Sequence, residues 1–127
     1  MKGTLYGVGV GPGDPELMTL KAVRMIRENE IIAVPGADVK ETVAYKIAVQ
    51  AVPELEEKEL LPIYMPMTHD AKELEENHAK GAKALEACLD QGKNVVFLTL
   101  GDPCVYSTFS YLQHRVEADG YHTELVS

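Results

Sequence analysis

The chain alternates short apolar runs with longer amphipathic segments, a pattern typical of strands separated by helices. Five runs are apolar or β-prone and are bounded by Gly, Pro or polar residues, which predicts strands. The predicted strands are residues 4–10, 31–34, 60–64, 95–98 and 122–126. Pro62 cannot donate a backbone hydrogen bond, so we expect the third strand to be irregular or to lie at an edge of the sheet.

The amphipathic segments predict four helices. Asp14 can cap the first of them, because its carboxylate accepts backbone N–H bonds, and Pro15 suits the first helical position. The other three helices are predicted over residues 41–51, 70–91 and 106–118. The apolar stripes predicted to face the core are Leu17, Leu20, Val23 and Ile26 in the first helix, Val43, Ile47, Ala48 and Ala51 in the second, and Leu74, His78, Ala82, Leu85 and Leu89 in the third.

This succession of elements predicts an α/β fold. Strands that alternate with helices form a mainly parallel sheet, and the helices cover both of its faces. The 127 residues are enough for one domain with a buried core. The order of the strands within the sheet cannot be deduced from this pattern.

Two of the predicted strands end in the same tripeptide, Gly-Asp-Pro. Gly13-Asp14-Pro15 follows the first strand, and Gly101-Asp102-Pro103 follows the fourth. Glycine permits an unusual turn, aspartate accepts backbone N–H bonds, and proline fixes φ for the next element. The first copy is compatible with an ordinary strand-to-helix corner. Residues 104–109, after the second copy, are β-branched and aromatic, which is unfavourable for a first helical turn, so we predict a loop that contacts a ligand.

The first of these turns does not match a phosphate-binding loop. In the G-x-G-x-x-G template, the last glycine is replaced by Asp14 when the pattern starts at Gly9, and by Pro12 when it starts at Gly7. The Gly-Lys-Ser/Thr of a P-loop is absent from the sequence. An acidic turn without basic residues favours a neutral or cationic ligand.

The amino-acid composition limits the kinds of molecule that we expect the protein to bind. Twelve basic and twenty acidic residues give a formal net charge of −8, which argues against nonspecific binding of nucleic acid and against an anionic membrane surface. No apolar run approaches the ~18 residues of a membrane helix, and the N-terminus lacks a signal-peptide pattern. The two cysteines and four histidines have no metal-ligand spacing. These features predict a soluble cytoplasmic protein without a metal site.

Residues 7–22, GVGVGPGDPELMTLKA, closely resemble the N-terminal signature of the tetrapyrrole methylases, which use S-adenosyl-L-methionine (SAM). Residues 98–103 and 106–112 resemble the SAM loop of one branch, the precorrin-2/cobalt-factor II C(20)-methyltransferases. The resemblance implies a fold of two α/β domains with SAM in the cleft between them, and a homodimer in the full-length enzyme. It covers residues 1–127 as the N-terminal domain alone. We therefore expect the C-terminal domain to be absent from this chain and the isolated domain to have little activity.

The resemblance implies six cofactor-binding residues, namely Pro12, Leu100, Gly101, Asp102, Val105 and Tyr106. Pro12 would line the cleft, the residues from Leu100 to Val105 would contact SAM largely through backbone groups, and Tyr106 is a neighbouring candidate. Relatives that methylate uroporphyrinogen carry an acidic residue after the second strand and a basic residue before the second Gly-Asp-Pro. Pro35 and Phe97 occupy these positions here, so no catalytic residue is assigned.

The activity that the resemblance implies is SAM-dependent methyl transfer to C-20 of precorrin-2 or cobalt-factor II in cobalamin biosynthesis, with S-adenosyl-L-homocysteine (SAH) as product. The implied partner is a small-molecule tetrapyrrole, not a nucleic acid or a membrane. Such a transfer depends on alignment and on exclusion of water, which agrees with the lack of a Ser-His-Asp or Cys-His motif. Two alternatives remain open, another tetrapyrrole or diphthamide-type methylase and a noncatalytic nucleotide-binding or assembly module.

Overall fold

Strands and helices alternate along the chain. A computed structural model describes residues 2–10, 16, 18–36, 38–64, 70–99 and 103–126, with the backbone alone for 103–108. The elements are β1 (Thr4–Gly9), α1 (Leu20–Glu28), β2 (Ile31–Pro35), α2 (Val43–Ala51), β3 (Glu59–Ile63), α3 (Ala71–Asp90), β4 (Val95–Thr99), α4 (Pro103–Ala118) and β5 (His122–Val126), with short 3₁₀ turns at Val39–Glu41 and Pro53–Glu57. All five predicted strands are present.

The five strands form one parallel sheet in the order β3-β2-β4-β1-β5. The central strand, β4, pairs with β2 on one side and with β1 on the other. All five residues of β4 are buried, which accounts for its continuous apolar run, because a central parallel strand is covered on both faces. The strand that contains Pro62 lies at one edge of the sheet, as predicted.

Helices cover both faces of this sheet, which confirms the predicted α/β architecture. α1 and α2 pack on one face, and α3 and α4 pack on the other. Successive residues of β4 point to opposite faces, so that Leu98 contacts the first layer and Phe97 the second. The Phe97 and Phe109 rings are fully buried, with their centroids 5.2 Å apart. Each such side chain contributes about 1.5–3 kcal/mol to stability by leaving water.

The first helix begins later than the sequence predicts. α1 starts at Leu20, and its N-cap is Thr19, whose Oγ1 accepts a hydrogen bond of 3.0 Å from the backbone N–H of Ala22. The predicted cap Asp14 and the following Pro15 lie outside the described residues, as does Leu17. The prediction that Leu20 faces the core is wrong. Its side chain is 89% exposed, because it stands in the first turn, before the stripe of Ala22, Met25 and Ile26 reaches the sheet.

The same correction applies to the first turns of the next two helices. Val43, the first residue of α2, is exposed. Leu74, in the first turn of α3, is also exposed, though less so. Further along, the predicted stripes are confirmed, with the buried residues Ile47 and Ala48 in α2, and His78, Ala82, Leu85 and Leu89 in α3. A helix that rises from the end of the sheet contacts the core only after its first turn, so that the first apolar residue stays at the rim.

The predicted helix over residues 106–118 is confirmed, but it starts three residues earlier, at Pro103, so the loop predicted directly after the second Gly-Asp-Pro is wrong. α4 begins at Pro103, a residue whose fixed φ suits the first position of a helix. Unfavourable propensities cost only a few tenths of a kcal/mol per residue. Burial of Phe109, Leu112 and Val116 against the sheet outweighs that cost and holds the segment as a helix.

Candidate ligand-binding crevice

The two strands that carry the Gly-Asp-Pro motifs are neighbours and end at the same level. Gly9 is paired with Thr99 in the register of β1 and β4. One residue further, the N–H of Val10 donates a 2.9 Å hydrogen bond to the carbonyl oxygen of Thr99. The segments that follow the two strands therefore start from adjacent points of one sheet edge.

The chain leaves these two strand ends toward opposite faces of the sheet. β1 continues into α1, which packs on one face, and β4 continues into α4, which packs on the other. Adjacent parallel strands with connections to opposite faces open a crevice outside their carboxyl ends, and such crevices are where open α/β sheets bind ligands. The carboxyl ends of β1 and β4 are therefore the candidate site.

The predicted cofactor-binding residues are only partly within the described chain. Pro12, Leu100, Gly101 and Asp102 lie outside the described residues. Val105 and Tyr106 belong to the first turn of α4, where the backbone alone is described. The topology thus brings the strand ends and the start of α4 to one edge of the sheet, and contact of these six residues with a ligand stays a prediction.

The end of β2, next to β4, carries a tight turn and no carboxylate. Pro35 is the last residue of β2, and the N–H of Gly36 donates a 2.8 Å hydrogen bond to the carbonyl oxygen of Ile63. Gly36 has a φ of 140°, and a Cβ there would lie 2.7 Å from Cγ2 of Thr42, so this turn needs glycine. Since Phe97 is a core residue, neither Pro35 nor Phe97 offers an acid or base to the crevice.

The floor of the crevice includes two residues that the sequence analysis did not single out. Gly9 and Thr99 face the same side of the sheet as α3 and α4, and Thr99 is one of three buried polar residues among those described. Its side chain is 5% exposed. The signal that could have identified it is a polar residue within an otherwise apolar run, two positions before the second Gly-Asp-Pro.

Exposed apolar side chains lie at the same end of the molecule. They are Leu20 and Val43 at the starts of α1 and α2, Tyr64 just after β3, Leu74 in the first turn of α3, and Leu125 near the end of β5. Because the sheet is parallel, all of these positions belong to its carboxyl end. Exposed apolar residues at the end where the crevice opens favour cover by another molecule or segment.

The opposite end of the sheet is highly charged. A groove of about 490 Å³ there is lined by Glu30, Ile31, Glu54, Glu57, Lys58, Glu59 and Lys93. Arg27 lies beside it and donates a 2.8 Å hydrogen bond to Glu54, which lowers the pKa of that carboxyl. These groups lie around the amino ends of β2, β3 and β4, at the opposite end of the sheet from the crevice.

Two polar clusters join α3 and α4 on the outside of the second layer. In one, the carboxylate of Glu75 accepts hydrogen bonds from Tyr111 and Arg115, which lowers the pKa of Glu75. His78 lies beneath it, with its ring centroid 4.2 Å from that of Tyr111, and burial lowers its pKa. Its position on a helix between packed side chains agrees with the structural role expected of an isolated histidine.

The second cluster lies toward the C-terminal ends of the two helices. Burial raises the pKa of Glu86 to about 7, with a hydrogen bond to Asp119 and the charges of Asp119 and Asp90 acting in the same direction. Tyr121 donates a 2.6 Å hydrogen bond to Asp90. Within the described ranges, no group of three or more His, Cys, Asp or Glu side chains could hold a metal ion.

Comparison with known proteins decides the family. The sequence model of the tetrapyrrole (corrin/porphyrin) methylases matches residues 4–127. The chain belongs to the tetrapyrrole methylase family. A helix long and apolar enough to cross a membrane is absent from the residues that the structure describes.

Two curated relatives are named for cobalt-precorrin-2 methylation and for cobalamin biosynthesis. The chain is 37% identical over 124 residues to the probable cobalt-precorrin-2 C(20)-methyltransferase of Methanocaldococcus jannaschii, with 97% of this chain and 51% of that protein covered. It is 38% identical over 121 residues to the cobalamin biosynthesis protein CobIJ of Mycobacterium tuberculosis (strain ATCC 25618 / H37Rv), with 91% of this chain and 24% of that protein covered. The chain thus spans half or less of the length of these relatives.

A solved structure of the methylase family shows the same fold. The uroporphyrin-III-C-methyltransferase of Thermus thermophilus matches with a TM-score of 0.65 and 27% identity, over 99% of this chain and 47% of that one. The resemblance of residues 7–22 and 98–112 to tetrapyrrole methylases is therefore confirmed at the level of the family and the fold.

Proposed function

We propose that this chain is the N-terminal domain of a methyltransferase that uses SAM to methylate C-20 of precorrin-2 or cobalt-factor II in cobalamin biosynthesis. The observation that carries the proposal is the side-by-side ending of β1 and β4, the two strands that precede the methylase motifs. The cobalt-precorrin-2 relative supports the choice of substrate.

The crevice suits a sulfonium donor. Gly9 and Thr99, the described residues at its floor, carry no charge and do not repel a cation. The residues proposed to hold the donor are Pro12, Leu100, Gly101, Asp102, Val105 and Tyr106, largely through backbone groups. When bound, SAM supplies an electrophilic methyl group, and SAH is the product.

The contribution of the chain to the reaction is alignment and exclusion of water. A rigid strand pair fixes where the two turns begin, and the start of α4 lies next to them, so that a bound donor would be held in one orientation. Apolar residues around the carboxyl end favour a covered, water-poor site. No catalytic base is assigned, because Pro35 and Phe97 replace the acidic and basic residues of the uroporphyrinogen branch.

Binding of SAH to the 127-residue chain tests the choice of donor. Isothermal titration calorimetry should show binding of SAH in preference to NAD and ATP. Preference for NAD or ATP would favour the noncatalytic nucleotide-binding module instead, and the absence of SAH binding would contradict the proposal.

Product analysis tests the acceptor. The chain, alone and joined to the C-terminal half of the Methanocaldococcus jannaschii relative, should be supplied with ¹³C-methyl SAM and with precorrin-2, cobalt-factor II or uroporphyrinogen III. We expect label at C-20 of a precorrin-2-type acceptor with the joined protein and little turnover with the chain alone. Equal turnover by both forms would contradict the need for a second domain.

A second candidate is methylation of uroporphyrinogen III, which the likeness to the Thermus thermophilus enzyme favours. The acceptor assay separates the two, since label on uroporphyrinogen alone would select the second candidate. We also propose that the full-length enzyme is a cytoplasmic homodimer that binds neither nucleic acid nor membranes, as the family resemblance and the acidic composition imply.

A further inference from the structure

The two edges of the sheet differ in how far they are protected against pairing with another strand. β3 forms one edge and carries Pro62, which cannot donate a backbone hydrogen bond. β5 forms the other edge, and among the described residues it pairs with β1 alone. Its five residues, His122–Val126, include no proline and follow β1 without a bulge. Because proteins usually block an edge strand that stays single, the open edge of β5 favours a further strand.

The side chains along β5 are also available to a partner. His122 and Glu124 share the face of Val126, which packs in the α1/α2 layer, because side chains alternate along a strand. Their side chains are 67% and 52% exposed. On the other face Leu125 is exposed, and Tyr121, just before the strand, is partly buried. One face of the edge therefore offers a donor and an acceptor, and the other offers apolar surface.

A second copy of β5 complements this edge in one register. Two copies of one strand that are related by a two-fold axis pair antiparallel, and directly opposite residues point to the same face. The axis must therefore pass beside a residue. With the axis at Thr123, His122 of each copy lies opposite Glu124 of the other, and Tyr121 lies opposite Leu125. An imidazole against a carboxylate, an aromatic ring against an aliphatic side chain and threonine against threonine are all favourable cross-strand pairs.

The neighbouring registers lack this complementarity. With the axis at Glu124, the two carboxylates lie directly opposite each other, and like charges in that position destabilise a strand pair. With the axis at His122, Glu124 lies opposite Gly120, which stands in the turn before the strand, and Leu125 has no opposite residue in the partner strand. The pattern of charges along β5 therefore favours the axis at Thr123.

The helices leave room for such a pair of strands. α4 lies over β1, where the Phe109 ring packs on Gly7. In the paired arrangement, the β1 strands of the two copies would be about 14 Å apart, which is three strand spacings. Packed helices need only roughly 8–10 Å between their axes. The two α4 helices would therefore flank the new strand pair without a clash.

We propose that β5 is the dimer contact of this chain, and that two copies pair antiparallel about a two-fold axis at Thr123 to join two five-stranded sheets into one of ten strands. The inference rests on the homodimer of the proposed function and names its interface. A contact made by one short strand from each copy is small for a protein interface, so we expect a dimer that dissociates on dilution.

Charge variants on the two edge strands test the contact. Sedimentation velocity of the 127-residue chain over a range of concentrations gives the dissociation constant of the dimer, and circular dichroism shows that each variant is folded. His122→Glu and Glu124→Lys each replace both donor–acceptor pairs by a mismatch. We expect either variant to weaken dimerisation by about tenfold or more. Glu59→Lys reverses a charge on β3, the other edge, and should leave the dissociation constant within about twofold.

A mixture of the two β5 variants tests the register. Across the two-fold axis of a mixed dimer, the carboxylate introduced by His122→Glu faces the ammonium introduced by Glu124→Lys, and the remaining Glu124 faces the remaining His122. The mixed pair should therefore associate at least as tightly as the unchanged chain. Charge pairing within a single strand would not give this result, because neither variant chain contains the pair.

Three outcomes would overturn the inference. They are an unchanged chain that stays monomeric at every concentration, a dimer that neither β5 variant weakens, and a mixed pair that associates no more tightly than the variants do alone. SAH binding and methyl transfer are measured separately. These outcomes therefore leave the proposed donor and acceptor untouched, and failure of SAH binding would not bear on the β5 contact.

Discussion

A methyl group on Gly7 would lie 2.4 Å from Cε2 of Phe109. No van der Waals contact allows that distance, so the ring or the backbone would have to move. Both residues lie in the core, where Phe97 stacks against Phe109 and limits any shift of its ring. The first glycine of the signature therefore serves the packing of α4 on β1.

Gly7→Ala should lower the free energy of unfolding by about 1–3 kcal/mol, the usual cost of overpacking a core. Urea denaturation followed by circular dichroism measures the change. Gly9→Ala is the matched control and should stay within about 0.5 kcal/mol of the unchanged chain. Equal losses for the two variants would contradict the distinction between a packed and an open glycine.

Tyr45→Phe should leave stability unchanged or raise it. The Tyr45 hydroxyl is buried and has no hydrogen-bond partner among the described residues, and burial raises its pKa, with the charge of Glu56 adding to the effect. Removal of an unsatisfied hydroxyl relieves a desolvation cost of about 1 kcal/mol while the ring keeps its contacts. Thermal unfolding gives the comparison, and a marked loss of stability would show that the hydroxyl has a partner.

Ionisation of Glu86 should make the chain less stable as pH rises toward neutrality. Its pKa is about 7 in the folded protein against an ordinary value of 4.5, so the folded state binds more protons between these values. Stability should therefore fall as pH rises from about 4.5 to about 7, and the contribution of this group should then level off. Because Glu86 is partly solvated, we expect an effect on the order of 1 kcal/mol.

The variant Glu86→Gln isolates that contribution. It keeps the shape of the side chain and cannot ionise, so its stability at pH 8 should exceed that of the unchanged chain, and the difference should shrink toward pH 5. Denaturation curves at several pH values provide the measurement. A difference that does not vary with pH would show that Glu86 ionises normally.

Protonation of His78 should make the chain less stable as pH falls, the opposite pH dependence to that of Glu86. Its pKa lies below the ordinary 6.5, chiefly because of burial and also because of the Arg115 charge, with the Glu75 carboxylate opposing both. The unfolded chain then binds more protons just below pH 6.5, so stability is lost as pH falls through that region. In His78→Gln this loss should disappear, even if the variant and the unchanged chain differ in stability at pH 8. The same slope in both proteins would contradict a neutral, buried imidazole.

The sequence was sufficient to predict the strands and the fold class because both depend on local patterns. An apolar run such as residues 95–98 predicts a buried strand in any α/β domain whose sheet is covered on both faces. The placement of β4 between β1 and β2 was not predictable, since it depends on which helix covers which face. The starts of α1 and α4 were also misplaced, whereas that of α3 was predicted to within one residue. α1 begins after the N-cap Thr19, and the start of α4 at Pro103 depends on contacts that Phe109, Leu112 and Val116 make later in the helix.

The candidate site also has a part that the sequence could predict and a part that it could not. The motifs were recognisable from residue types, and the adjacency of their strands follows from the observed sheet order. Thr99 was missed because its importance depends on what lies across from it on a strand that is 90 residues away in the chain. Sequence spacing carries no information on such a pair.

The insertion of β4 between β1 and β2 has a consequence for how the protein is made. β1 pairs only with β4 and β5, and β2 pairs only with β3 and β4. While the ribosome is still adding the residues before Val95, the nascent chain can join β2 to β3 but offers β1 no strand at all. β1 must therefore stay unpaired until the segment from Val95 onward has been synthesised, which leaves its apolar side chains and its backbone hydrogen-bonding groups exposed in the meantime.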